Sequence, residues 1–215
     1  MAHRRLVLAS ASPARLALLR SAGFAPEVVV SGVDERAAQA ASLADLVVTL
    51  AEAKALAVAG RDDVRGAIVI GADSLLDVDG EAYGKPASIE QARERLQRLR
   101  GRAAVLRTGH CVVDTTTGRK ASGEASSKVC FGDYDDAELD AYLATGEALR
   151  VAGGFTIDGY AAPFVSGIVG DHGTVLGLSL PLVRRLLRDI DISITDLWAE
   201  SNRTHDDTSR ERHDR

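Results

Sequence analysis

Aromatic residues make up only 4% of this 215-residue chain, and a single tryptophan is among them. A nucleic-acid-binding face needs aromatic platforms interleaved with basic side chains. Here Asp and Glu outnumber Lys and Arg by 31 to 26, for a net charge of −5. No global field draws such a chain to nucleic acid or to an anionic membrane, and neither partner is expected. There is no apolar run of roughly 18 residues or more, so no membrane span is expected. His3, Arg4 and Arg5 lead into only Leu6 to Ala9, too short an apolar run for a signal peptide. The two cysteines, Cys111 and Cys130, lack CxxC spacing and read as reduced thiols of a cytoplasmic protein. Glycine-rich Gly153–Gly159 has no Gly-Lys-Ser/Thr and matches no phosphate-loop pattern. No repeat or low-complexity block divides the chain. The expectation is one domain over residues 1–198 and a polar, disordered tail over 199–215.

What is present begins at Leu6-Val7-Leu8-Ala9-Ser10-Ala11-Ser12-Pro13-Ala14-Arg15. A short apolar strand stops at two serines. Ser12 is a candidate helix N-cap, and Pro13 fits the first helical position, where a missing N–H costs nothing. Hydroxyls beside a helix N-terminus suit an anion such as phosphate, although an ordinary strand-to-helix connection would look the same. Glu27–Val30 reads as a second strand, with Asp34 and Glu35 in the loop beyond it. Ser42–Ala59 is the clearest helix, with Leu43, Leu46, Val47, Leu50 and Ala57 as its apolar face. Lys54 falls on that same face, where a lysine is unusual unless it is paired or reaches out of the core.

Ala67–Ile70 is a β-branched run expected to be covered on both sides. It breaks at Gly71-Ala72-Asp73-Ser74, which sets an acid at a strand end, where open α/β sheets place their ligands. Leu75–Val78 then continues as strand into an Asp79-Gly80 hairpin, followed by Gly84-Lys85-Pro86. Ser88 and Gln91 form a capping box for a helix ending at Gly101. Ala103–Asp114 and Ser122–Phe131 read as long strands, Asp135–Ala144 as a helix and Ile168–Gly170 as a strand. Pro181 opens a last helix with Arg184, Arg185 and Arg188 facing out. The class is α/β, with a mixed sheet. Arg15, Lys54 and Lys85, hydroxyls at Ser10 and Ser12, and carboxylates at Glu35 and Asp73 are an inventory suited to a polyphosphate and a divalent metal.

The chain resembles the Maf family of nucleoside triphosphate pyrophosphatases. The matching pieces are LASASPAR (8–15), VDE (33–35), AEAKA (51–55), IGADS (70–74), GEAYGKP (80–86), LRGRAAVLRTG (99–109), YLATGEALRVAGGFTIDG (142–159) and VLGLSLPLV (175–183). The resemblance implies an inosine-triphosphatase-like α/β fold, akin to anticodon-binding domains, with a strongly twisted sheet flanked by helices and two lobes around a central cleft. It implies cleavage of a nucleoside triphosphate, normal or modified, to monophosphate and pyrophosphate by metal-assisted attack of water at the α-phosphorus. Asp73 falls on the catalytic base, with Glu35, Lys54 and Lys85 as catalytic partners. Asp73 and Glu35 fall on the ligands of Mg2+ or Mn2+, and Ser10, Ser12 and Arg15 on phosphate-binding positions. Ala14, Ser74 and Asp158 occupy the family's base-selecting positions and match neither its pyrimidine subgroup nor its 7-methyl-GTP subgroup. A homodimer is implied, and so, as an alternative to catalysis, is a regulatory role in arresting septum formation.

Overall fold

The computed structural model describes residues 4–35 and 38–199. The tail expected over 199–215 therefore lies outside the described residues except for Ala199. Seven strands form one sheet: β1 (Arg5–Leu8), β2 (Glu27–Val28), β3 (Ala67–Val78), β4 (Glu81–Tyr83), β5 (Ala103–Asp114), β6 (Lys120–Phe131) and β7 (Val165–Val169). Their order is β2-β1-β3-β5-β6-β7, with β4 as a hairpin on β3. β1 runs parallel to β2 and β3, and every other pairing is antiparallel. This is the expected mixed sheet. The β3–β4 turn also follows the sequence, with Asp79 and Gly80 at positive φ (55° and 88°).

Helices cover the sheet. α1 (Pro13–Ser21) is capped by Ser12, and α2 (Leu43–Ala59) by Ser42. α3 (Ile89–Leu99) is capped by Ser88, but Gln91 reaches back to the N–H of Ala87, one residue before the cap. α4 (Asp136–Ala144) closes a full capping box between Asp135 and Glu138. α5 (His172–Leu176), unforeseen in the sequence, is a single turn ending at Gly177, and α6 (Leu180–Asp189) follows from the cap Ser179.

Two expectations need correction. β3 does not stop at Gly71. It runs through Ser74 as one strand of 12 residues because β5 pairs with it from Ile68↔Asp114 to Asp77↔Val105. What ends there is β1, whose last paired residue is Leu8, opposite Ile70. Asp73 therefore sits in mid-strand, just past the point where β3 loses its parallel neighbour. The buried face of α2 is also rotated from the one expected. It comprises Val47, Leu50, Ala51, Lys54, Ala55 and Val58, whereas Ala57 is exposed and Leu43 and Leu46 are half-buried.

β3 feeds two main cores and a smaller third cluster. Ile68, Ile70 and Ala72 join Leu8, Leu19, Val183 and Leu187 under α1 and α6. Leu76 and Val78 join Tyr83, Leu96, Leu99, Phe131 and Tyr142 under α3 and α4. A third cluster, with Val7, Val69, Ala51 and Val58, lies between the sheet and α2. Residues 73–75 form the changeover between the two main cores.

Candidate active site

Side chains alternate along β3, so Val69, Gly71 and Asp73 face α2 while Ala72 and Ser74 face α1 and α6. On the α2 side the helix lies directly on the strands. A Cβ on Gly71 would collide with Ala51 O and sit 2.7 Å from Ala55 N, and one on Gly109 would collide with Val47 O. Gly109 is the cross-strand partner of Asp73. The two glycines thus bring the α2 backbone down to the sheet and point Lys54 along it. Lys54 Nζ lies 2.6 Å from Asp73 Oδ1 and 2.6 Å from Glu35 Oε1. The Lys54 and Asp73 side chains are each 11% exposed, whereas that of Glu35 is 56% exposed. The lysine on an apolar face is therefore neither stranded nor snorkelling: two carboxylates hold it, one buried and one exposed.

Burial raises the Asp73 carboxyl above its ordinary pKa. Lys54 and Arg15 pull it back down, and Glu35 adds to the rise. A carboxylate poised in this way holds a proton more readily than a free one, which suits a general base.

On the opposite side of β3, Arg15 of α1 is buried. Its Nε donates to Gly177 O (2.7 Å), Nη1 to Ser10 Oγ (3.0 Å) and Ala72 O (2.9 Å), and Nη2 to Ser74 Oγ (2.9 Å). Ala72 O is available because β1 has ended beside it. Ser10 Oγ also accepts from Ser12 N (3.2 Å), and Ser12 Oγ caps α1 by accepting from Arg15 N (3.4 Å). Ser74 Oγ lies 2.9 Å from Thr108 Oγ1, which donates to Thr174 O at 2.9 Å. Thr108, Thr174 and Gly177 were not singled out in the sequence. Two of these contacts run through backbone carbonyls, which leave no residue-type signal.

Asp73, Lys54 and Glu35 form one cluster; Ser10, Ser12, Arg15 and Ser74 form another; residues 73 and 74 join them back to back. Lys85 and Asp158 stand apart, both exposed and without a hydrogen bond to either cluster among the described residues. The loop of Lys85 is nevertheless held: Gly84 O accepts from Gly153 N (3.2 Å) and Arg95 Nη1 (3.0 Å). Asp158 lies in a loop clasped by Glu147, which accepts from Thr156 Oγ1 (2.5 Å) and Tyr160 N (3.1 Å). Ala14 is half-buried on α1.

These features define an α/β protein with a lysine gripped by two carboxylates beside a hydroxyl-lined helix N-terminus. The chain belongs to the Maf family: residues 5–190 match the family described as Maf-like protein. It is 61% identical to a nucleoside triphosphate pyrophosphatase of Streptomyces coelicolor, over 92% of this chain and 96% of that one. It is 58% identical to one of Streptomyces avermitilis, over 91% and 95% of the two chains. A third, from Salinispora tropica, is 52% identical over 94% and 90%. The crystal structure of a nucleoside-triphosphatase/dITP/XTP pyrophosphatase from Mycobacterium abscessus superposes with a TM-score of 0.37 at 19% identity, over 59% of this chain and 72% of that one. So partial a superposition does not define a fold.

Proposed function

We propose that this protein is a nucleoside triphosphate pyrophosphatase that cleaves between the α and β phosphates, releasing nucleoside monophosphate and pyrophosphate. The observation that carries the reading is Lys54 bridging Asp73 and Glu35 at 2.6 Å each. Asp73 orients the attacking water and takes its proton. Lys54 balances charge developing on the phosphate oxygens in an in-line displacement, and the family likeness supports the same task for Lys85. Ser10, Ser12 and the N-terminus of α1 hold the phosphates.

A divalent cation fits this donor set in one respect and needs help in another. Asp73 and Glu35 are hard oxygen donors, and each keeps a second oxygen beyond the one on Lys54. Among the described residues, however, no group of three His, Cys, Asp or Glu could hold a metal alone. Mg2+ or Mn2+ bound through one or two carboxylates and the substrate's own phosphates suits such a site. When bound, the ion would supply charge stabilisation at the phosphates and a more acidic water.

The base preference is open to normal and modified nucleotides alike, since Ala14, Ser74 and Asp158 follow neither subgroup of the family. We also read the protein as cytoplasmic, since Cys111 and Cys130 are both unbridged. The family likeness supports a homodimer, which light scattering in solution checks. The decisive experiment is a panel of nucleoside triphosphates with Mg2+ or Mn2+, assayed for pyrophosphate, on the wild type and on Asp73→Asn. Metal-dependent release by the wild type and none by the variant is expected. A folded wild type that turns over no nucleotide would leave the binding role in septum arrest as the better reading.

A further inference from the structure

The hydrogen bonds around Arg15 have directions that can be assigned without seeing a hydrogen. Guanidinium and amide N–H groups only donate, and carbonyls only accept. Ser10 Oγ therefore accepts from both Arg15 Nη1 (3.0 Å) and Ser12 N (3.2 Å). Both of its lone pairs are taken, and its one hydrogen is left to point elsewhere. Thr108 Oγ1 spends its hydrogen on Thr174 O, so the 2.9 Å contact with Ser74 is one in which Ser74 donates. Ser74 also accepts from Arg15 Nη2 (2.9 Å). Its hydrogen is thus committed inward, away from any ligand.

Arg15 meanwhile has all but one of its N–H groups on the protein, and it is 8% exposed. Gly177 completes the cage. Its φ is 99°, its carbonyl takes Arg15 Nε, and a Cβ there would lie 3.0 Å from that nitrogen. An arginine used in this way has little left to offer a phosphate, yet its charge polarises every hydroxyl it touches.

We propose that Arg15 is a positioning residue that acts through Ser10, fixing its hydroxyl as a one-way donor toward the substrate's phosphate oxygens while turning Ser74 inward. This rests on the pyrophosphatase reading above. It also divides the two serines flanking Arg15 by function: Ser10 faces the anion as a donor, and Ser74 can meet a ligand only as an acceptor.

A double-mutant cycle in full-length protein tests it. Ser10→Ala is expected to lower kcat about 100-fold, the usual cost of one preorganised donor to a developing oxyanion. Arg15→Lys keeps the charge but not the fork of donors and should cost about as much, while the double variant falls no more than about threefold below Ser10→Ala. Losses that multiply would mean that Arg15 meets the phosphate itself, and the proposal would be overturned.

Because Arg15→Lys could unfold a buried site, the wild type supplies a second readout, the side-chain 15N–H signal of Arg15 Nε. On saturation with an α,β-methylene nucleoside triphosphate this signal should barely shift and should stay protected from exchange. A large shift would overturn the proposal. If the wild type neither turned over any nucleotide nor bound inorganic triphosphate, the proposal and the pyrophosphatase reading would fall together. Turnover with multiplicative losses would sink the proposal alone.

Discussion

Asp73 is pulled in two directions by its surroundings, and the stronger pull sets both its chemistry and its effect on stability. Burial raises its pKa against the opposing cations Lys54 and Arg15. A carboxyl whose folded pKa lies above its unfolded value stabilises the fold when protonated, and that contribution is lost as pH rises through the folded pKa. Ionised Asp73 at neutral pH is therefore a cost to folding. Asp73→Asn should melt at or above the wild-type temperature at pH 7, with the difference vanishing below about pH 4, where the unfolded carboxyl is protonated too. Melting curves across that range check this; a variant less stable at pH 7 than at pH 4, relative to wild type, would contradict it. The same imbalance predicts how Lys54 acts. Lys54→Met removes the nearest opposing charge, so Asp73 climbs further. Turnover should drop about 100-fold or more, and the acidic limb of the residual pH–rate profile should move to higher pH. An unmoved limb would mean that Asp73 is not the group that titrates.

At the scale of elements, the site exists because α2 is allowed to touch the sheet. Gly71 and Gly109 lie under that helix where any side chain would strike its backbone; a Cβ on Gly109 would also come within 2.5 Å of Val48 N. Gly109→Ala should therefore cost about 3 kcal/mol or more, because the clash is with backbone and cannot be relieved by a rotamer change. Lifting α2 should also draw Lys54 off Asp73, so stability and turnover fall together. Gly123→Ala is the control. Its Cβ would meet only Leu182 and Leu186 side chains at 3.7 and 3.8 Å, and urea unfolding should place it within about 1 kcal/mol of wild type. Equal losses for the two variants would refute the packing argument.

These elements also show what could be read from the chain. Lys54 was legible because a lysine on an apolar stripe breaks the pattern, and Ser12-Pro13 because capping is local chemistry. The break assigned at Gly71 was wrong for a nonlocal reason: β5, some 40 residues on, pairs straight through it. Gly71 and Gly109 do interrupt apolar strand runs, which signals a close approach of backbone. Nothing local says that the approaching element is α2, or that Gly109 lies opposite Asp73. Thr108, Thr174 and Gly177 stayed hidden because their partners are 34 to 162 residues away in the chain, from Ser74–Thr108 at the near end to Arg15–Gly177 at the far end.

Across the whole molecule, the segment from α5 to α6 is tied to the sheet by the apolar contacts of α6 and also by buried polar groups, and one of these polar groups titrates. His110 of β5 is fully buried, and its Nε2 accepts the N–H of Ser179, the cap of α6, at 2.7 Å. Its hydrogen is therefore on Nδ1, which finds no well-aligned partner among the described residues. Burial first, then the nearby positive charge of Arg15, pushes its pKa down to about 4, against smaller opposing effects of Thr108 and Asp171. A histidine depressed from 6.5 contributes stability that is present above the unfolded pKa and lost as pH falls through the folded one. Titration of His110 should thus withdraw about 3 kcal/mol of stability between pH 6.5 and 4, opposite in sign to the effect of Asp73. The cause is physical: protonated His110 can no longer accept from Ser179, and it would place a second cation beside Arg15. His110→Gln keeps an acceptor for Ser179 N but cannot take up the proton. Its urea midpoint should therefore vary less between pH 7 and pH 4.5 than that of the wild type. Parallel pH profiles for the two proteins would overturn this, since they would mean that His110 takes up its proton as readily in the folded chain as in the unfolded one.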